Sequence, residues 1–241
     1  MNWHLDVESF EERQRILHDT AILGPWYQSF DLADWLKIGA VHDGNSVLGH
    51  LDALGFPGDF SGKTVLDVGC NAGYYSFVAK RRGAGRVVGV ELDDHFVRQA
   101  QYLSRLLRID VDFLHNDAHN VDTRLGNFDM IICTGLMYHI PDPTTVLARL
   151  AAVCADTILI ESEFLIDPGL THMARFIEGP YRGDSTNWWI YGPKCLEDMV
   201  RAAGFQEAQF KGFYFDPHGE ETEEGIPRGG RGLLIGRKHG M

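Results

Sequence analysis

The stretch Val65-Leu66-Asp67-Val68-Gly69-Cys70-Asn71-Ala72-Gly73 constrains the fold more than any other part of the chain. An apolar, valine-rich run closes on an acid, then on a turn with two glycines, and a helical pattern from Tyr74 to Arg82 follows. A strand of that composition is buried on both faces and belongs in a parallel sheet. Glycine is required where the backbone takes left-handed angles or where a ligand must touch the main chain. The combination predicts the strand, tight turn and helix that open a nucleotide-binding α/β sheet.

Downstream the pattern alternates regularly. Strands are expected at 64–68, 86–91, 111–114, 128–133 and 157–161, with helices over about 93–108 and 143–153. Phe96, Ala100, Leu103 and Leu107 form the apolar stripe of the first of these helices. Pro193 and Gly204 bracket another helix, and closing strands are expected near 208–215 and 231–237. Together these predict a Rossmann-like, doubly wound, mainly parallel sheet of about seven strands with helices on both faces. Ligands of such sheets bind outside the carboxyl ends of the strands, which puts Asp67, Glu91, Asp117 and the Thr134–His139 segment on one rim.

Before and after this alternation the reading is coarser. Residues 1–60 form a helical leader in which Ser9 and Glu12 make a capping box, with Phe10, Ile16, Leu17 and Ala21 as its apolar stripe. A second leader helix is expected from an Asn45 N-cap to Leu54. The leader covers either the ligand cleft or the sheet edge. Residues 61–161 form the cofactor-binding half, 162–192 an insertion or lid rich in aromatics and charges, and 193–241 the closing helix and strands. All are assigned to a single domain, which 241 residues accommodate.

The ligand follows from the turn's chemistry. A dinucleotide fingerprint is G-x-G-x-x-G with pyrophosphate on the helix N-terminus. Here the spacing is G-x-x-x-G, and Asp67 would repel phosphate but suits a cation. S-adenosylmethionine has no phosphate and carries a sulfonium and an ammonium. Glu91 ends the next strand, 24 residues after Asp67, and its two oxygens match a ribose diol. On these residues the chain resembles the class I methyltransferases that use S-adenosylmethionine. The cofactor contacts are then Asp67, Gly69, Asn71, Gly73 and Glu91. The resemblance adds Asp117 as acceptor for the adenine amino group, the Ala118 N–H facing a ring nitrogen, and Thr134 beside the methionine part. The alternative for Asp117 is a helix N-cap.

Composition narrows the setting. A net charge of −12 argues against a large polyanionic partner, although a local basic patch is compatible with it. No apolar run approaches the ~20 residues of a membrane span, and the acidic N-terminus is unlike a signal peptide. Cys70, Cys133, Cys154 and Cys195 lack metal or redox spacing and fit reduced thiols of a cytoplasmic protein. His115 and His119 have ligand-like spacing without further ligands, so no metal is expected.

Methyl transfer from a sulfonium requires alignment and exclusion of water, with a general base where the acceptor is a hydroxyl. His139 is the candidate base, with Tyr138 beside it; the alternative is that His139 braces the Pro141-Asp142-Pro143 turn. Trp26, Arg182, Trp188, Trp189 and Arg231 are candidate acceptor contacts, with Arg228 a further possible anion contact. One of Trp188 and Trp189 is expected in the core and the other on the pocket wall, since neighbours on a strand alternate.

From Trp26 onward the chain is similar to transferases that modify a hydroxylated wobble uridine of tRNA with carboxy-S-adenosylmethionine. GPWYQSFDL, VLDVGCNAGYY, GLMYHIPDP, NWWIYGP and EEGIPRGGRGLLIGRK carry the likeness. In that family a tyrosine and an arginine at the positions of Tyr138 and Arg231 contact the extra carboxylate. The family's lysine shortly after the leader tryptophan has no counterpart in Tyr27-Gln28-Ser29. Fewer cations mean weaker selection of a carboxylated group. The expectation is therefore plain S-adenosylmethionine and a small acceptor, such as a sugar or secondary-metabolite hydroxyl. The alternative is tRNA carboxymethyl transfer; oligomeric state is left open.

Overall fold

A computed structural model describes residues 3–39, 42–181, 183–215 and 229–239. The leader comprises α1 (Phe10–Ile22), a hairpin of β1 (Phe30–Ala33) and β2 (Leu36–Ile38), and α2 (Gly44–Ala53). The alternating region follows as β3 (Thr64–Val68), α3 (Tyr74–Arg81), β4 (Arg86–Glu91), α4 (Asp94–Leu107), β5 (Asp112–His115), β6 (Phe128–Thr134), α5 (Pro143–Val153) and β7 (Cys154–Leu165). Short strands β8 (Ala174–Phe176) and β9 (Trp189–Tyr191) precede α6 (Pro193–Ala202), β10 (Glu207–Phe215) and β11 (Gly229–Arg237).

The main sheet runs β10-β11-β7-β6-β3-β4-β5. From β7 to β5 the strands are parallel, while β11 is antiparallel to both its neighbours. The chain winds outward from β3 in two directions, so the crevice between the carboxyl ends of β3 and β6 is the topological switch point. Because β3 is central, its apolar residues feed both faces. Val65 joins Tyr74, Phe77, Ala100 and Leu103 on one side; Leu66 and Val68 join Leu147, Leu150, Leu196 and Val200 on the other.

Several elements depart from the sequence expectation. In α1, Ser9 does accept from the Glu12 N–H, but Ile16 and Thr20 are the buried residues. Phe10 and Leu17 face solvent. Thr20 tolerates burial because its hydroxyl donates to the Ile16 carbonyl at 2.8 Å, and its own carbonyl receives the Trp26 indole N–H at 2.7 Å. Asp43, not Asn45, caps α2 by accepting from the N–H groups of Asn45 and Ser46. Asn45 instead accepts from the Tyr74 hydroxyl. In α4, Val97 is buried while Phe96 is only partly so.

β7 continues through Leu165, four residues into the expected insertion. The partner explains the length: β11 pairs with it without a break from Gly229↔Leu165 to Arg237↔Thr157. The irregular leader segment folds as the β1–β2 hairpin and lies on the α3 face. There Trp3, Phe30, Tyr74 and Phe77 pack as one aromatic cluster with ring centroids 5.4–6.3 Å apart. The leader also reaches the cleft, since Tyr27, Gln28 and His42 line it.

Candidate active site

The turn after β3 is left-handed at Gly69 (φ 71°), Asn71 (φ 50°) and Gly73 (φ 89°). Gly69 and Cys70 donate their N–H groups to the Val90 carbonyl at 2.8 and 3.1 Å, fastening the turn to β4. Gly69 and Asn71 border a cavity of about 560 Å³ at the switch point. Gly73 does not border it. A Cβ there would lie 2.6 Å from the Phe113 ring, so this glycine serves helix packing rather than ligand approach.

Glu91 stands at the opposite lip. One carboxylate oxygen accepts the Asn71 N–H at 2.9 Å and the other the Asp93 N–H at 3.0 Å. Each oxygen has a further lone pair, so a vicinal diol can be gripped by a side chain already fixed in place. Leu92, Phe96, Asn116, Asp117 and Ala118 continue this end of the cavity. Asp117 caps the short helical turn Ala118–Asn120, accepting from His119 N–H at 2.9 Å and pairing with its ring at 2.7 Å through the same oxygen, Oδ1. Capping and cavity lining thus coexist in one carboxylate. His119 bridges on to Asp142 at 2.6 Å, and these two carboxylate hydrogen bonds raise its pKa. His115 contacts the Leu92 carbonyl instead, so the two histidines do not converge.

Asp67 is placed differently from the sequence expectation. Its side chain is wholly buried under the turn and does not border the cavity, so it cannot touch a bound cation directly. Oδ2 accepts the Ser76 hydroxyl at 2.6 Å, and among the described residues Oδ1 has no hydrogen-bond partner. Burial drives its pKa up to about 7, against the pull of Ser76. The folded protein therefore binds a proton that the unfolded chain releases near its ordinary 3.8. Stability falls as pH rises between those values and levels off above. Asp67→Asn should flatten that part of the pH dependence in urea unfolding measured from pH 4 to 8. An unaltered slope would show that Asp67 is ionised throughout.

At the other end, Thr134 closes β6, and Gly135, Leu136, Tyr138 and His139 follow it along the cavity. Arg231 on β11 lies above them and is tied to Glu161 of β7 by two hydrogen bonds of 2.6 Å. It also donates to the Tyr138 hydroxyl at 2.6 Å and covers that ring at 4.9 Å. The Tyr214 hydroxyl donates to Glu161 at 2.8 Å. Burial raises the Tyr138 phenol to about 12, with Arg231 opposing, so it stays protonated near neutrality.

A second cavity of about 490 Å³ joins the first, and Tyr27, His42, Tyr138, His139, Asp184 and Arg231 border both. Its far walls include Asp43, Ser46, His50, Glu163, Asn187 and Tyr214. Burial lowers the pKa of both His42 and His139, keeping the imidazoles neutral near pH 7. Tyr27 stacks on His42 at 5.6 Å, and His50 on Tyr214 at 5.5 Å.

Of the expected acceptor contacts, Trp188 lines the first cavity. Trp189 does not; its indole N–H donates to the Pro141 carbonyl at 3.1 Å and braces that turn. Both tryptophans are half-buried, so the division into core and wall is incomplete. Trp26 is a correction: it is packed in the leader with its N–H on Thr20 and borders neither cavity. Arg182 and Arg228 lie outside the described residues. Sequence reasoning missed His42, Glu161, Asp184, Thr186 and Tyr214. Asp184-Ser185-Thr186 carried a turn signal; His42, within an irregular leader, carried none.

The chain matches a methyltransferase domain family over residues 65–157. It is 29% identical over 204 residues to a tRNA U34 carboxymethyltransferase of Pseudomonas syringae pv. tomato, covering 75% of this chain and 64% of that protein. The chain thus spans less than two thirds of that relative's length. It is 27% identical to a ubiquinone biosynthesis O-methyltransferase of Ralstonia nicotianae, covering 69% of this chain and 73% of the other. In fold it is similar to the N-terminal domain of EvdMO1, whose crystal structure was determined in the presence of SAH and D-fucose. That likeness has a TM-score of 0.72 at 20% identity, over 94% of this chain and 97% of the other.

Proposed function

We propose that this chain, which has the fold and the matching domain of the class I S-adenosylmethionine-dependent methyltransferases, transfers a methyl group to a hydroxyl of a small polar acceptor. One observation carries the reading: the cleft at the switch point opens into a second polar cavity, and His139 stands where the two join.

The residues present fit an adenosyl cofactor. Glu91 would hold the ribose diol, Asp117 and the Ala118 N–H the adenine, and the backbone at Gly69 and Thr134–Leu136 the methionine part. Bound there, the cofactor supplies an electrophilic methyl group on a sulfonium. The chain then has to orient the acceptor oxygen, exclude water and take up one proton. His139 is neutral and able to accept it. Tyr138, held by Arg231, is a hydrogen-bond donor and acceptor beside the reacting position rather than a base.

Two features favour a small neutral acceptor over tRNA. The chain carries a net charge of −12, and carboxylates of Asp43, Glu163 and Asp184 border the second cavity. The charge of Arg231 is already met by Glu161, which weakens its value as a partner for a carboxylated cofactor. The Tyr138–Arg231 contact and the tRNA U34 carboxymethyltransferase relatives favour the second reading, carboxymethyl transfer to tRNA. Incubation with each cofactor form and either neutral monosaccharides or bulk tRNA, followed by mass spectrometry, separates them. A gain of one methyl on a sugar supports the proposal. Modification confined to tRNA with carboxy-S-adenosylmethionine, falling steeply with salt, would replace it with the second reading.

A further inference from the structure

The loop after β8 is pinned to the turn that carries His139. The Trp188 N–H donates to the Tyr138 carbonyl at 2.8 Å, and Tyr181 and Asp184 exchange backbone hydrogen bonds of 3.0 and 3.1 Å that close the loop on itself. This brings Thr186 onto the imidazole: its carbonyl lies 3.1 Å and its hydroxyl 3.0 Å from His139 Nδ1. The hydroxyl has a single hydrogen, which it donates to Asp184 Oδ1 at 2.6 Å; the Thr186 N–H donates to the same oxygen at 2.7 Å.

Donor and acceptor counting fixes the proton. A carbonyl oxygen only accepts, and the Thr186 hydroxyl has already given its hydrogen to a carboxylate. Nδ1 must therefore carry the imidazole proton, which leaves Nε2 as a lone pair. From these contacts we infer that Asp184 and Thr186 are positioning residues that hold His139 in the Nδ1–H tautomer, with Nε2 as the base for an acceptor hydroxyl. The inference rests on the methyl-transfer reading of this site. In the step, the acceptor O–H proton passes to Nε2 as its oxygen bonds the methyl carbon, and the S–C electron pair remains on sulfur as a thioether. The imidazolium that forms is stabilised by the chain through Thr186 to Asp184.

The groups facing the ring agree with that role. Burial lowers the His139 pKa and Arg231 of β11 lowers it further, while the Thr186 carbonyl, Asp184 and Glu163 of β7 raise it. Tyr138 packs against the ring at 4.3 Å, and Tyr27 and His42 of the leader border the same cavity. The two hydrogen bonds from Thr186 outweigh the burial of Asp184 and hold its pKa down, so the far end of the chain is a carboxylate.

The test needs no acceptor. Side-chain 15N–1H NMR of the full chain, with the His139 signals identified by their loss in His139→Gln, reads tautomer and pKa together. The wild type should show protonated Nδ1 and bare Nε2. Thr186→Val should lower the His139 pKa and admit the other tautomer, since one of two Nδ1 acceptors is gone. Thr186→Ser should restore both properties. Asp184→Asn should lower the pKa as well, which provides a second route should the valine variant fail to fold. A wild-type ring protonated at Nε2, or a Thr186→Val protein with unchanged tautomer and pKa, overturns the inference. Failure of wild-type protein to bind S-adenosylhomocysteine in calorimetry would instead overturn the methyl-transfer reading while leaving the tautomer measurement standing.

Discussion

Glu91→Ala is expected to weaken binding of S-adenosylhomocysteine roughly 10- to 150-fold, the equivalent of about 1.5–3 kcal/mol for hydrogen bonds to a charged group. The side chain is anchored by the N–H groups of Asn71 and Asp93, so it waits in position rather than being ordered by the ligand. Preorganisation of this kind spares the ligand the cost of ordering the side chain, so its removal is read in affinity. Calorimetric titration of both proteins measures it, with circular dichroism to establish that the variant is folded. Equal affinities would remove Glu91 from the ribose and, with it, the main reason for placing an adenosyl group in this cleft.

The second large effect concerns stability. Arg231→Ala should destabilise the protein by about 3–5 kcal/mol, because it leaves Glu161 as an unpaired buried charge. The Glu161 side chain is 3% exposed and the Arg231 side chain 17%. Tyr214 would remain as one hydrogen-bond donor to that carboxylate, and Tyr138 would lose the guanidinium above it. Replacing both partners with apolar residues of similar volume, Glu161→Leu with Arg231→Met, should recover most of the loss, since the cost lies in the orphaned charge rather than in the missing pair. Urea unfolding of the single and double variants measures this. A single-variant loss below ~1 kcal/mol, typical of a surface pair, would show that the site is wetter than its burial implies.

The sheet was legible because its determinants are local. A valine-rich run ending in Asp67 and a glycine turn can be read without knowing what packs on it, and Pro143 and Pro193 mark helix starts at the residue. The rim followed from topology: Glu91, Asp117 and Thr134 all border one cavity. Asp67 was misplaced because sequence places a residue along a strand but not above or below a turn; Ser76, nine residues on in the first turn of α3, takes its carboxylate inward. Trp26 was misread for a related reason, since an aromatic beside an irregular leader serves equally as core, and the Thr20 carbonyl decides the matter.

The acceptor side was the least legible part. His42, Glu161, Asp184 and Tyr214 come from the leader, β7, the loop after β8 and β10, segments joined only by the folded chain. The Asp184–Thr186–His139 chain spans 47 residues between its histidine and its threonine, and no spacing rule connects them. Arg231 could be matched to a family position, but its bidentate pairing with Glu161 depends on β11 lying beside β7 in one register, Arg231↔Glu163.

A crystal structure of the chain with S-adenosylhomocysteine tests the central claim most directly. The ribose hydroxyls should lie within hydrogen-bond distance of the two Glu91 oxygens, with the sulfur facing the junction bordered by Tyr27, Tyr138 and His139. A ligand seated elsewhere, or the same cleft occupied by a dinucleotide with its pyrophosphate on the turn after β3, would contradict the account.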